Sequence, residues 1–273
     1  MTKVLYSSPR FVRKKKKRVL FANQKVFVAG LPSFLIIGGL LYFLFFSPYF
    51  GVNNIKISGN KTISENTLKE KVENIISQKT LFLAMAGNIF LLPEEKIEKE
   101  ILVDFPKVEK VSIKKDVPKN IEVILQEREA AAIWCNATEE ASDCFFMDAN
   151  GIVFEKAPLT EGSLIFKIKE RLQRTNIIEG SQIFSKDFAI KFFEAKKKLE
   201  NGFSGITFFE GTVLDGNIVE MKSSDGWKVV FDITSDIESQ IQATKKILSE
   251  ISFEEKSKIE YFDLRVEGRV YYK

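Results

Sequence analysis

The 273-residue sequence contains no histidine. That gap removes Ser-His-Asp triads, Cys-His pairs and histidine-based metal sites together. Cysteine is reduced to two residues, Cys135 and Cys144, and nothing beside either would lower a thiol pKa for catalysis. No cysteine lies near the N-terminus, so a bacterial lipoprotein signal is absent. Acidic residues are missing from the first 46 positions, which carry nine Lys/Arg, including the run Arg13-Lys14-Lys15-Lys16-Lys17-Arg18.

Directly after that basic stretch, Val26–Phe46 gives 21 residues without a charge. A bilayer core about 30 Å thick needs roughly 20 apolar residues in a helix, so this run is expected to span a membrane once. Pro32, Gly38 and Gly39 are tolerated in such a helix. A cleaved signal peptide is the rival reading. Its apolar core should be shorter and end at a small-x-small site, whereas this run ends in Phe45-Phe46-Ser47-Pro48-Tyr49-Phe50. Basic residues stay on the cytoplasmic side, so the tail 1–25 is expected inside and the folded chain outside. A Lys/Arg run also suits nucleic acid; placed before a span it reads rather as a topology signal touching anionic lipid.

The formal charge of +4 conceals an asymmetry. With nine of the 41 basic residues in positions 1–46, the remainder holds 32 against 37 acidic ones, a net of −5. A mildly acidic outer part argues against nucleic-acid binding there. Hydrophobic residues make up 45% of the chain, enough for packed cores.

The first outer unit, residues 51–128, opens on the alternating strand Val52–Asn60. Ser64 is placed as a helix N-cap, with Ile63 and Leu68 at staple spacing. Leu68, Val72, Ile75 and Ile76 share one helical face. Pro93, Glu94 and Glu95 then open a second helix, with Ile97, Ile101 and Phe105 on one face and Pro106 ending it. Two strands follow, Val108–Lys115 and Ile121–Arg128, around the turn Asp116-Val117-Pro118-Lys119-Asn120. The order β-α-α-β-β buries one core between two helices and a three-stranded sheet.

In residues 129–273, Ala131–Cys135 and Cys144–Met147 read as paired strands. A disulfide across them would close a short loop and contribute about 2–3 kcal/mol; two free buried thiols are the alternative. Asn150-Gly151 between apolar runs signals a hairpin. Asp148 and Asn150 match a calcium loop only in fragment, the rest of that motif being missing. Ser185 starts a helix with Phe188, Phe192, Ala195 and Leu199 on one face. Strands are expected at Ser204–Phe209, Asn217–Lys222 and Gly226–Ile233. A last helix carries Ile237, Ile241, Leu248 and Ile251. Lys258–Arg265 forms a closing strand, its Phe262, Leu264 and Val266 alternating with Tyr261, Asp263 and Arg265.

The order of the first unit, placed after a span, resembles the POTRA module. Its wording is similar to one family: Gly59-Asn60; Asn88-Ile89-Phe90; Phe105-Pro106-x-Val108; Val111-x-Ile113-x-Lys115-x-x-Pro118; and Ile121-x-Val123 leading to Glu127-Arg128-x-x-Ala131. Asp148-x-x-Gly151-x-Val153-Phe154 and Tyr261-Phe262-Asp263-Leu264-Arg265 continue it. Together these resemble the bacterial cell-division family FtsQ/DivIB, over about residues 20–273 and most weakly through 157–203.

The fold class expected is therefore α+β: an N-terminal transmembrane helix (26–46), a β-α-α-β-β POTRA domain (51–128), then a mixed α/β domain (129–273) with a mainly antiparallel sheet. The resemblance implies a non-enzymatic scaffold of the inner membrane at the division septum, without a cofactor. Implied partners are FtsB-like and FtsL-like coiled-coil proteins, with FtsW-like or FtsK-like membrane proteins at the POTRA unit. The candidate surface is the terminal edge strand, carried by Tyr261, Phe262, Leu264, Arg265, Val266, Val270 and Tyr271, where a partner strand could add. The strand pair Val108–Arg128 is a second candidate. A POTRA-bearing translocation or assembly factor would bring tandem POTRA repeats or a β-barrel, and the sequence has neither signal. An envelope sensor or cell-wall enzyme would bring a signalling module or a catalytic cluster.

Overall fold

In a computed structural model, residues 22–77, 87–136, 144–158, 165–171, 174–256 and 258–273 are described, with side chains omitted for 22–31 and 253. The chain begins with helix α1, Ala22–Phe46, 25 residues long. Its side chains from Pro32 to Phe46 are mostly exposed and apolar. Among the described residues no helix is long and apolar enough to cross a membrane. The span expected at Val26–Phe46 lies partly outside the described side chains, and the Arg13–Arg18 run lies wholly outside the described residues.

The first unit follows the expected β-α-α-β-β order. Strand β1 (Asn54–Ser58) alternates exposed and buried positions, with Ile55 and Ile57 inward. Helix α2 (Glu65–Ser77) buries Leu68, Val72 and Ile75. Helix α3 (Glu94–Asp104) buries Ile97 and Ile101. Pro93 stands one position before α3 rather than at its first turn, so the helix ladder is unaffected by its missing N–H. Strands β2 (Val108–Asp116) and β3 (Asn120–Glu127) form an antiparallel pair. Strand β1 joins the other side of β3 in parallel. The β1-β3-β2 sheet and both helices enclose Leu68, Val72, Ile97, Ile101, Ile121 and Val123.

The second unit is built on a larger sheet. Strands β4 (Ala132–Cys135) and β5 (Cys144–Met147) pair antiparallel with Cys135 opposite Cys144, and these two cysteines form a disulfide. Strand β6 (Val153–Lys156) completes the hairpin through Asn150-Gly151. Strand β7 (Lys167–Glu170) then lies in the sheet interior, parallel to β4 on one side and to β8 (Phe208–Asp215) on the other. Between them runs helix α4 (Lys186–Gly202), whose N-cap Ser185 accepts from the Phe188 N–H. Strands β9 (Ile218–Ser223) and β10 (Lys228–Asp232) continue antiparallel from β8.

Helix α5 (Ile237–Glu250) and the short α6 (Phe253–Lys256) cross over to β11 (Tyr261–Asp263), which pairs parallel to β10. The chain turns back and ends in β12 (Tyr271–Tyr272), antiparallel to β11. Among the described residues the sheet order is β12-β11-β10-β9-β8-β7-β4-β5-β6. Antiparallel neighbours outnumber parallel ones. The apolar stripe of α4 (Phe192, Ala195, Leu199) and Ile237 and Ile241 of α5 share one core with the sheet residues Trp134, Ile168, Met221, Phe231 and Phe262.

Two expectations shift. The strand placed at Ser204–Phe209 begins instead at Phe208, because the chain turns through Gly205 (φ +86°) first. The closing strand is shorter than Lys258–Arg265, and it is not the sheet edge: β12 lies outside it.

Candidate partner-binding edge

The two ends of the larger sheet differ. Beyond β6, the loop 178–182 takes up part of the edge: the Gly180 N–H donates to the Val153 carbonyl, and the Val153 N–H donates to that of Ser181. At the other end lies β12, next to β11.

The β11–β12 hairpin is held by its own sequence. Phe262 is fully buried, its ring edge-on to Trp227 with centroids 5.3 Å apart. Leu264 is also fully buried, and its N–H donates to the Val230 carbonyl. Asp263 accepts from the Arg265 backbone N–H at 3.1 Å and from its guanidinium at 2.9 and 2.6 Å. The Arg265 side chain, against an opposing contribution from burial, holds the Asp263 carboxyl below its usual range. That bidentate pair fixes the bend after β11. The reversal uses Gly268 at φ +71°, a left-handed conformation that suits glycine.

Register decides which backbone groups face outward. Tyr261 and Lys273 exchange both hydrogen bonds, at 3.4 and 3.3 Å. In an antiparallel ladder bonded and non-bonded pairs alternate. The next pair, Phe262 with Tyr272, is therefore non-bonded, and the Tyr272 N–H and C=O point away from β11 toward the open side.

The sequence-derived site residues separate accordingly. Phe262 and Leu264 belong to the core, so their side chains are not available to a partner. Tyr261, Arg265, Val266 and Tyr271 are exposed. Val270 is partly buried against the core. Tyr272, which the sequence reading passed over, is half exposed, with its ring 6.2 Å from that of Phe262. The signal for it was the same alternation continued past Gly268: Val270 and Tyr272 share the phase that points their backbone outward.

The second candidate, Val108–Arg128, presents Lys110, Glu109, Ile124 and Gln126 on its exposed face, while Val108, Val111, Ile121, Val123 and Leu125 are core. Its last two residues do something the sequence did not reveal. Glu127 is 5% exposed and accepts from the backbone N–H groups of Lys61, Thr62 and Ile63 and from the Thr62 hydroxyl. Burial alone would raise its pKa; these hydrogen bonds outweigh burial and hold it at about 2. Arg128 donates to the Pro106 carbonyl and pairs with Asp148, which is 4% exposed and also accepts from the N–H groups of Asn150 and Ile152. Lys107 reaches Glu155 at 2.8 Å. These contacts join the first unit to the β5–β6 hairpin, and Glu127 with Asp148 lines a cleft of about 410 Å³ between the units.

Comparison with known proteins agrees with this architecture. Residues 50–128 match the family model of the POTRA domain, FtsQ-type. A cell division protein DivIB of Clostridium botulinum is 27% identical over 272 residues, covering 98% of this chain and 97% of the relative. A DivIB of Clostridium acetobutylicum is 32% identical over 121 residues, 44% of this chain and 43% of that protein. With the POTRA match and similarity along nearly its whole length, the chain belongs to the FtsQ/DivIB family.

Proposed function

We propose that this chain is a non-enzymatic scaffold of bacterial cell division, anchored by α1 with both folded units outside the cytoplasmic membrane. It gathers coiled-coil membrane proteins of the FtsB and FtsL type at the septum. The relatives are cell-division proteins. The observation that carries the binding mode is the open side of β12, where the Tyr272 N–H and C=O face outward. A partner strand added there gains backbone hydrogen bonds, while exposed Tyr271 and Tyr261 discriminate among side chains. The anchor rests on the 25-residue helix α1, about 38 Å long at 1.5 Å per residue, and on the uncharged run Val26–Phe46. FtsW-like or FtsK-like proteins would meet the POTRA unit on the exposed face of β2 and β3.

The backbone phase selects the test. Proline at Leu264 would remove a bond to β10 inside the core and unfold the sheet. Proline at Tyr272 removes an outward donor, a position where an edge strand tolerates it. Tyr272→Pro is expected to abolish co-purification of FtsB-like partners from cells while leaving the Cys135–Cys144 disulfide and thermal stability intact. Undiminished co-purification would exclude β12 as the site. A fluorescent fusion of the unaltered chain should collect at midcell; an even membrane distribution would exclude the division role.

A further inference from the structure

Helix α1 is hydrogen-bonded to the first unit rather than loosely tethered to it. The Asn88 side-chain amide, 6% exposed overall, donates to the Leu44 and Phe45 carbonyls at 2.9 and 3.2 Å. These are carbonyls of the last helical turn, which lack intrahelical partners. The Asn88 Oδ1 in turn accepts from the Phe90 N–H and caps the short 3-10 turn Ile89–Leu91. Leu44 packs on the core of the unit, Phe43 meets Phe50 edge-on at 5.6 Å, and Phe50 meets Phe90 at 5.1 Å. The end of α1 and the 89–91 turn thus form one piece.

Around this joint the surface is apolar. Tyr49, Phe90 and Leu91 are 54%, 42% and 44% exposed, continuous with the exposed Phe43 and Phe46 of α1. Lys119, from the β2–β3 turn, holds its Nζ 5.7 Å from the centre of the Tyr49 ring.

We propose that Tyr49, Phe90 and Leu91 form a foot that enters the lipid headgroup region and seats the POTRA unit on the membrane in a fixed orientation. This rests on the reading of α1 as the anchor. The occupant follows from continuity. Asn88 bonds the foot to the last turn of α1, so it stands within about one turn, roughly 5 Å, of the level of Phe46. Wherever the apolar helix leaves the bilayer, the foot meets the interface. Its composition also fits that layer: tyrosine sits at headgroup depth, and a lysine keeps its ammonium among phosphates while its stem lies on apolar surface. A single helix leaves the rotation of a domain about its axis free, and a second contact beside the helix removes that freedom. The β12 edge would then be presented at a set height and direction for partners that are themselves anchored.

The test uses the full chain in nanodiscs of anionic and zwitterionic phospholipid, one copy per disc, with the native disulfide kept. Single cysteines replace Leu40 in α1, Leu91 in the foot, or Lys110 on β2, each carrying an environment-sensitive fluorophore. Lys110 lies six residues before the end of β2, roughly 20 Å from the Lys119 turn at 3.4 Å per residue. Lipids with a quencher near the headgroup or along the chain are then compared with plain lipids. The expected result is loss of emission at 91 with the shallow quencher, loss at 40 with a deeper one, and no loss at 110. Loss at 40 but none at 91 overturns the foot and leaves the anchor standing. No loss at 40 overturns the anchor and the foot with it.

Discussion

Glu127 gives a stability test that separates geometry from composition. Its carboxylate serves three backbone N–H groups and one hydroxyl of the β1–α2 loop. The folded-state pKa of about 2 lies well below the ordinary 4.5. A depressed pKa means that the stabilisation is fully present above about 4.5 and is lost as pH falls toward 2. The difference of about 2.5 units, at 1.36 kcal/mol each, amounts to about 3 kcal/mol. Glutamine keeps the shape but removes the charge that strengthens those bonds, and it turns an NH2 toward donors. Both tryptophans, Trp134 and Trp227, lie outside the first unit, so fluorescence would miss the effect. Hydrogen exchange of the slowest amides in α2 and β3, corrected for intrinsic rates, reports on it directly. At pH 7, Glu127→Gln should lower their protection roughly a hundredfold, and the parent's decline between about pH 4.5 and 2 should flatten in the variant. Equal protection at pH 7, or an acid decline unchanged by the substitution, would refute the reasoning.

Other outcomes follow from the same contacts. Arg128→Ala strands the buried Asp148 carboxylate and should cost roughly 3–5 kcal/mol, read as a lower thermal midpoint and loosened exchange in the β5–β6 hairpin; an unchanged midpoint would contradict the joint. Gly211→Ala should destabilise the second unit by about 1–3 kcal/mol, because a Cβ there would stand 2.9 Å from the Phe166 ring and 3.0 Å from that of Phe192; calorimetry decides. Reducing the disulfide or changing both cysteines to serine frees a loop closed across nine positions and should cost about 2–3 kcal/mol. Mass spectrometry without reductant should find Cys135 joined to Cys144, and free thiols would reject that bond.

Much of the fold could be read from local pattern, and the failures have physical causes. The first unit follows helical and alternating periodicity almost residue by residue, because its helices each bury one stripe and its sheet one face. The cysteine hairpin was legible for the same reason. Strand β7 was not: Lys167-Ile168-Lys169-Glu170 offers a single apolar side chain, and its neighbours β4 and β8 are parallel strands distant in sequence. Strand β8 was displaced because Gly211 reads as a break, whereas the glycine is there to let two aromatic rings approach the backbone. The terminal strand was recognised but not its place, since a reversal through Gly268 puts β12 outside it. Phe262 and Leu264 were apolar for the core, and the exposed edge had moved ten residues on.

The central claim is that partners add to the sheet at β12. A photo-crosslinking phenylalanine analogue at Tyr272, in dividing cells that depend on this chain, tests it most directly, with the same analogue at Glu155 on the opposite edge as control. The account expects an adduct at 272, absent at 155, whose second component is a small coiled-coil membrane division protein. No adduct at 272, or the same adduct at both edges, would contradict it.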